Sequence, residues 1–231
     1  MYTMPPHALN LFIDAGALMA FSPGLNHAVH QDHQNLHLYA QLAADNRLSR
    51  SADPLAWHDL YIAALKRFGL CLPCIGHRWF EADVTQARTL AHWLAPPATT
   101  DIDEPAWPVM VQAMQQLASA TGGDLARQLL HTHAVTHATE CSSLNLLMVH
   151  VATDATVDLW FARLQTRELI ERNLFDQVFT GSALLGRVEV FHHAGMLGED
   201  YMTHRAMLAG QLGSRRQDLL LAVAADARRQ P

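Results

Sequence analysis

The sequence is short of three things. It has a single lysine (Lys66), three cysteines, and no apolar run of membrane-spanning length. An odd, small number of cysteines excludes a disulfide framework and fits a reducing compartment. The net charge of −6, with no block of like charges, leaves no basic stripe to displace counterions from a phosphate backbone, which excludes nucleic acid as a partner. The first apolar stretch, Leu9 to Phe21, is broken by Asn10 and Asp14, and a spanning helix needs about 20 apolar residues. The opening residues, Met1 to Pro6, lack the basic start of a signal peptide. A cytoplasmic protein with no transmembrane segment is expected, leaderless export staying open. No internal repeat is visible either.

What is present is a core. Half of the 231 residues are apolar and 16% are charged, enough for a chain of this length to bury roughly 70–75% of its unfolded surface. Residues 1–140 read as mainly helical. Asp53 is a helix cap, Pro54 a first-turn proline and Gly69 a stop, with Trp57, Tyr61, Leu65 and Phe68 at helical spacing between them. Further helices are predicted over 26–44, 84–94, 107–119 and 124–138. Leu70 to Phe80 reads as a strand, and the proline-rich, acidic stretch 95–108 as a surface loop. After Cys141 the pattern changes to strands. Residues 144–151 and 156–165 form a hairpin, 186–193 a third strand and 174–179 a shorter one; after a helix from Gly198 to Gly213, 219–223 reads as a last strand in preference to the start of a tail helix. The expectation is an α+β fold in one domain, a helical part packed on a C-terminal antiparallel meander.

Several stretches resemble a group of uncharacterised bacterial proteins of about this length. They are Leu11 to Phe21, Gln41 to Asn46, Trp57 to Tyr61 with Phe68-Gly69, and Gln211 to Ser214. The resemblance implies one domain, a strand after the Trp-and-Tyr helix, and a late helix followed by a final strand. It implies no activity, cofactor or site residue, and neither the Cys71/Cys74 pair nor the histidines below belong to its pattern.

Fifteen histidines invite a metal reading. His27, His30, His33 and His37 fall within an arc of about 120° on a helix, and His33 and His37, one turn apart, could share zinc or another divalent transition metal. The competing reading is a solvated polar face. His131, His133 and His137 form a second cluster, but Ala134 stands where a zinc protease helix carries its glutamate. Cys71-Leu72-Pro73-Cys74 has redox or zinc spacing, yet no second cysteine pair closes a site and a strand would point the two thiols apart. Gly181-Ser182-Ala183 lacks the second glycine of a nucleophile elbow. Thr121-Gly122-Gly123 reads as a helix stop rather than a phosphate loop. Asp101, Asp103 and Glu104 lie in the proline-rich loop. Asp14, inside an apolar run, is the one acid that looks out of place; a cap or turn role competes with a buried functional one.

The first functional expectation is therefore a non-enzymatic interaction or self-assembly protein without a cofactor, acting on a protein partner or on itself, a leaderless bacterial effector being one version. The alternative is a metal-dependent hydrolase using His30, His33 and His37.

Overall fold

The N-terminal apolar run folds as a hairpin rather than as part of a helical half. The structure, a computed structural model, describes residues 9–81, 83–96 and 106–223, with only the backbone at 74 and 75. In it β1 (Asn10–Asp14) and β2 (Ala17–Phe21) pair antiparallel across the turn Ala15-Gly16. Both faces of this hairpin are covered, so its sequence shows a continuous apolar run in place of the alternation that marks a half-exposed strand. Ala15 takes φ 48°, the left-handed region that a side chain enters at a cost of about 1 kcal/mol. Its N–H is held by Leu219 O at 2.7 Å.

Next come α1 (His27–Asp45), capped by Asn26, and α2 (Pro54–Arg67), capped by Asp53. The predicted strand after Gly69 divides into β3 (Leu70–Cys71) and β4 (Cys74–Glu81) at Pro73, which cannot donate to a ladder. The stretch predicted as a helix over 84–94 is β5 (Ala87–Thr89) followed by one turn, α3 (Leu90–Trp93). Then α4 (Trp107–Ser119) and α5 (Asp124–Ala134) lead into β6 (Val135–His137), so the fifth helix ends before its β-branched residues Val135 and Thr136. The C-terminal part supplies β7 (Ser142–Val151), β8 (Thr156–Thr166), β9 (Val178–Thr180) and β10 (Arg187–Leu197). It closes with α6 (Tyr201–Leu212), α7 (Arg215–Leu219) and β11 (Leu220–Val223).

The α+β expectation holds, but the sheet is mixed. Among the described residues its order is β11-β1-β2-β7-β8-β10-β3, with β4 also on β10 and β6 on β7. β2 and β7 run parallel, from Ala17 opposite Leu147 to Phe21 opposite Val151; the other pairs are antiparallel. A parallel pair needs a long crossover, supplied by everything between β2 and β7. Helices cover both faces. Met19, Phe21, Leu147, Val149 and Phe161 pack with Leu36 of α1, Trp57, Tyr61 and Leu65 of α2, and Tyr201 of α6. Leu18, Leu146, Met148, Trp160 and Val190 pack on the opposite face with Trp93, Trp107, Met110 and Leu130 from α3, α4 and α5. No described helix is long and apolar enough to cross a membrane.

Candidate functional site

Helix α1 lies over the sheet between α2 and α6, and this burial changes the meaning of its histidines. They are not a solvated face. His30, His33 and His37 are buried together with Asp32, Gln34, Asn35 and Gln41, and only His27 is exposed. The rings of His33 and His37 stack at 6.1 Å, and His30 lies 4.4 Å from the Phe21 ring. His37 Nδ1 meets Tyr61 OH at 2.5 Å, while both nitrogens of His33 and the Nε2 atoms of His30 and His37 find no partner among the described residues. Burial, then the neighbouring His30, pushes His33 down to about 4, and burial holds His37 well below the usual imidazole range. These histidines are neutral at physiological pH. Among the described residues no three His, Cys, Asp or Glu side chains come together as a metal-holding group. Stacked rings do not converge on a point, so the zinc alternative gains no support from the geometry.

A second polar cluster forms where the β1–β2 turn meets the end of α1. Arg50, 7% exposed, reaches under the turn: Nη1 donates to Gly16 O at 3.2 Å and Nη2 to Gln41 Oε1 at 2.7 Å. Gln41 accepts from Gly16 N–H at 3.1 Å and donates to Asp14 O at 2.9 Å. A Cβ at position 16 would stand 2.0 Å from Arg50 Nη1, so Gly16 is what leaves room for the guanidinium. The Trp57 ring lies 3.9 Å beneath it, and Trp57 Nε1 donates to Asp45 at 2.7 Å. Burial lowers the guanidinium to about 10, with Asp45 the largest opposing influence, so Arg50 stays charged. Asp14 is fully buried and neither carboxylate oxygen is hydrogen-bonded among the described residues; burial raises its carboxyl well above the usual range, against the pull of Arg50 and Arg216. Asp14 is the last residue of β1, so the expected cap or turn role is not what its side chain does: it makes no capping bond and lies buried beside the turn.

On the outer side of the helical layer, α1, α2 and α6 leave a groove of about 540 Å³ floored by Tyr39, Leu60, Phe68 and Met207. It continues as a depression of about 270 Å³ that shares Tyr39, Ala43 and Arg47 and runs on to Leu212 and Arg215. The basic and imidazole side chains lining it are Arg47, Arg67, His204 and Arg215, with no carboxylate beside them. In a chain of net charge −6 this is a local reversal of sign.

The other sequence candidates disperse. His131 bonds Ile170 O at 2.9 Å and His137 the Ser142 hydroxyl at 2.9 Å, although their rings lie 5.4 Å apart. Cys71 is exposed on β3 and Cys141 is half-buried; the Cys74 side chain lies outside the description, as do Asp101, Asp103, Glu104 and the residues before Leu9. Thr121 to Gly123 is the turn before α5, as expected. Sequence reasoning missed Arg50 and the groove arginines. No short motif marks them, because they meet only through the packing of α1 on α2, α6 and the first turn.

No family model matches the chain, and no curated protein does. Among solved structures, one titled "Structure of the Evf virulence factor" superposes with a TM-score of 0.37 at 8% identity, covering 93% of this chain and 84% of that one. So distant a likeness carries no argument about fold or function.

Proposed function

We propose that the protein acts by binding rather than by catalysis, and that its partner is a protein presenting an amphipathic helix with acidic flanks. The observation that carries this reading is the groove across α1, α2 and α6. Its floor is apolar, and its rim holds three arginines and a histidine with no acid. An apolar floor between helices takes the apolar face of another helix, read at i, i+3, i+4 and i+7. The rim selects the flanks: acidic side chains complete Arg47, Arg67 and Arg215, whereas basic ones meet like charge.

The test is fluorescence anisotropy with two labelled model peptides, identical in their leucine face and carrying either glutamates or lysines beside it. The glutamate peptide should bind with micromolar affinity that weakens as salt is raised, and the lysine peptide should not. Equal binding of both, or of neither, would remove this reading. If instead the protein self-associates through the groove, light scattering will show mass rising with concentration, and the glutamate peptide will reverse it only if it occupies the same groove.

A further inference from the structure

Apart from the groove, a cavity of about 340 Å³ opens over Arg50, between the C-terminal end of α1 with its following loop, the junction of α5 and β6, and β7. Its walls come from four places in the chain: Asp45 at the end of α1, Ser49 and Ser51 in the following loop, Thr132 and His133 at the end of α5, and Asn145 on β7. Two of these residues are almost wholly buried, Arg50 at 7% and Asn145 at 3% exposed. Neither is satisfied in the way a merely structural polar group is. Arg50 donates to Gly16 O and Gln41 Oε1 alone, although a guanidinium carries five N–H donors, and it forms no ion pair among the described residues. The Asn145 amide makes no hydrogen bond to a described residue, and Asn145 lines the cavity. A buried amide without a protein partner is destabilising, a cost that a ligand or ordered solvent removes.

We infer that this cavity binds a small polar carboxylate of the size of a hydroxy acid or amino acid, its carboxylate on Arg50 and Asn145 and its second polar group on Asp45 and the serine hydroxyls. The charge sets the class. Asp14, the buried acid beneath the turn, is held by burial toward its neutral form and makes no ion pair with Arg50. Asp45 is exposed and already accepts from Trp57 Nε1. The cavity therefore offers one fixed cation that lacks a bonded counter-ion, next to one acid on its rim. A monoanion balances the first, and a hydroxyl or ammonium group beside it suits the second. A phosphate dianion would bring excess negative charge toward Asp45. The planar, forked guanidinium matches a carboxylate in two-point contact. Its seat, held from below by Trp57 and from the side by Gly16 and Gln41, fixes that fork before a ligand arrives. The inference is independent of the groove, because none of the cavity's lining residues lines the groove.

The test is a titration of the full chain with L-lactate, L-alanine, acetate and inorganic phosphate, read by thermal shift and by the side-chain amide resonances of Asn145. At tenfold excess over Kd, lactate or alanine should raise Tm by about 3–5 °C and shift the Asn145 amide, with acetate weaker and phosphate weakest. Asn145→Asp, which keeps the shape and adds a like charge, should abolish the carboxylate response. Since Arg50→Ala risks unfolding the protein, His27→Gln, at an exposed position of α1 outside the cavity, serves as the folded control and should retain the response. Phosphate binding as well as the carboxylates, or carboxylates leaving both readouts unchanged, overturns the inference. So does a Tm response that survives Asn145→Asp.

Discussion

Acid should unfold this protein well before carboxylate chemistry would. His33 on α1 and His58 on α2 are buried, and burial, aided by His30 and His193 respectively, lowers them to about 4 and about 3. In the unfolded chain both return to about 6.5. A histidine depressed in the folded state refuses a proton that the unfolded chain accepts, so its contribution is undiminished above about 6.5 and is lost as the pH falls below it. At about pH 5 the unfolded form of each is almost fully protonated and the folded form is not, a difference of about 2 kcal/mol per residue. Two residues give about 4 kcal/mol, a large part of the 5–15 kcal/mol that folded domains typically possess. His193, in ring contact with His58 at 5.3 Å and itself lowered to about 4, pushes the same way. Urea unfolding followed by circular dichroism at steps from about pH 7.5 down to about pH 5 measures the loss. The midpoint should fall steeply below about pH 6.5, and His33→Leu should flatten the slope while leaving the protein at least as stable at neutral pH, since both nitrogens of His33 lack partners. A midpoint unchanged across that range would refute the reasoning, because it would mean that these rings are solvated or already paired.

Three further outcomes follow from the packing. Gly16→Ala places a Cβ within 2.0 Å of Arg50 Nη1 and should cost about 1–3 kcal/mol in urea unfolding; it should also abolish the thermal-shift response to carboxylates. Tyr61→Phe removes the partner of His37 Nδ1 among the described residues and should cost about 1–3 kcal/mol, less in a His37→Phe background, as a double-mutant cycle would show. Arg205→Ala breaks the 2.7 Å pair with Asp32 that ties α6 to α1. With Arg205 partly exposed the cost should stay below about 1 kcal/mol, but amide exchange in α6 should speed up.

What could be read from the sequence was whatever depends on neighbours in the chain. The Asp53 cap, Pro54 and the Trp57/Tyr61/Leu65 spacing located α2, and the turn at Asp154 located the β7–β8 hairpin, because caps and turns are local chemistry. The hairpin at Asp14 to Ala17 was hidden by its own burial on both faces. The parallel pairing of β2 with β7 joins residues more than a hundred positions apart and leaves no local trace. The polar content of α1 misled in a different way. His30, His33, His37 and Gln41 look like a wet face, and the helix buries them because α2, α6 and the sheet surround it. Nothing local in the sequence marks Arg50, because the groups that hold it, Gly16 O and Gln41, reach it only through the fold.

The claim that the protein acts through its basic-rimmed groove is tested most directly by reversing the rim. A protein carrying Arg47→Glu and Arg67→Glu should fold as the parent does, lose the glutamate-flanked peptide and gain the lysine-flanked one, inverting the order of the two affinities. An unchanged order would contradict the claim, because binding would then owe nothing to the arginines that define the groove.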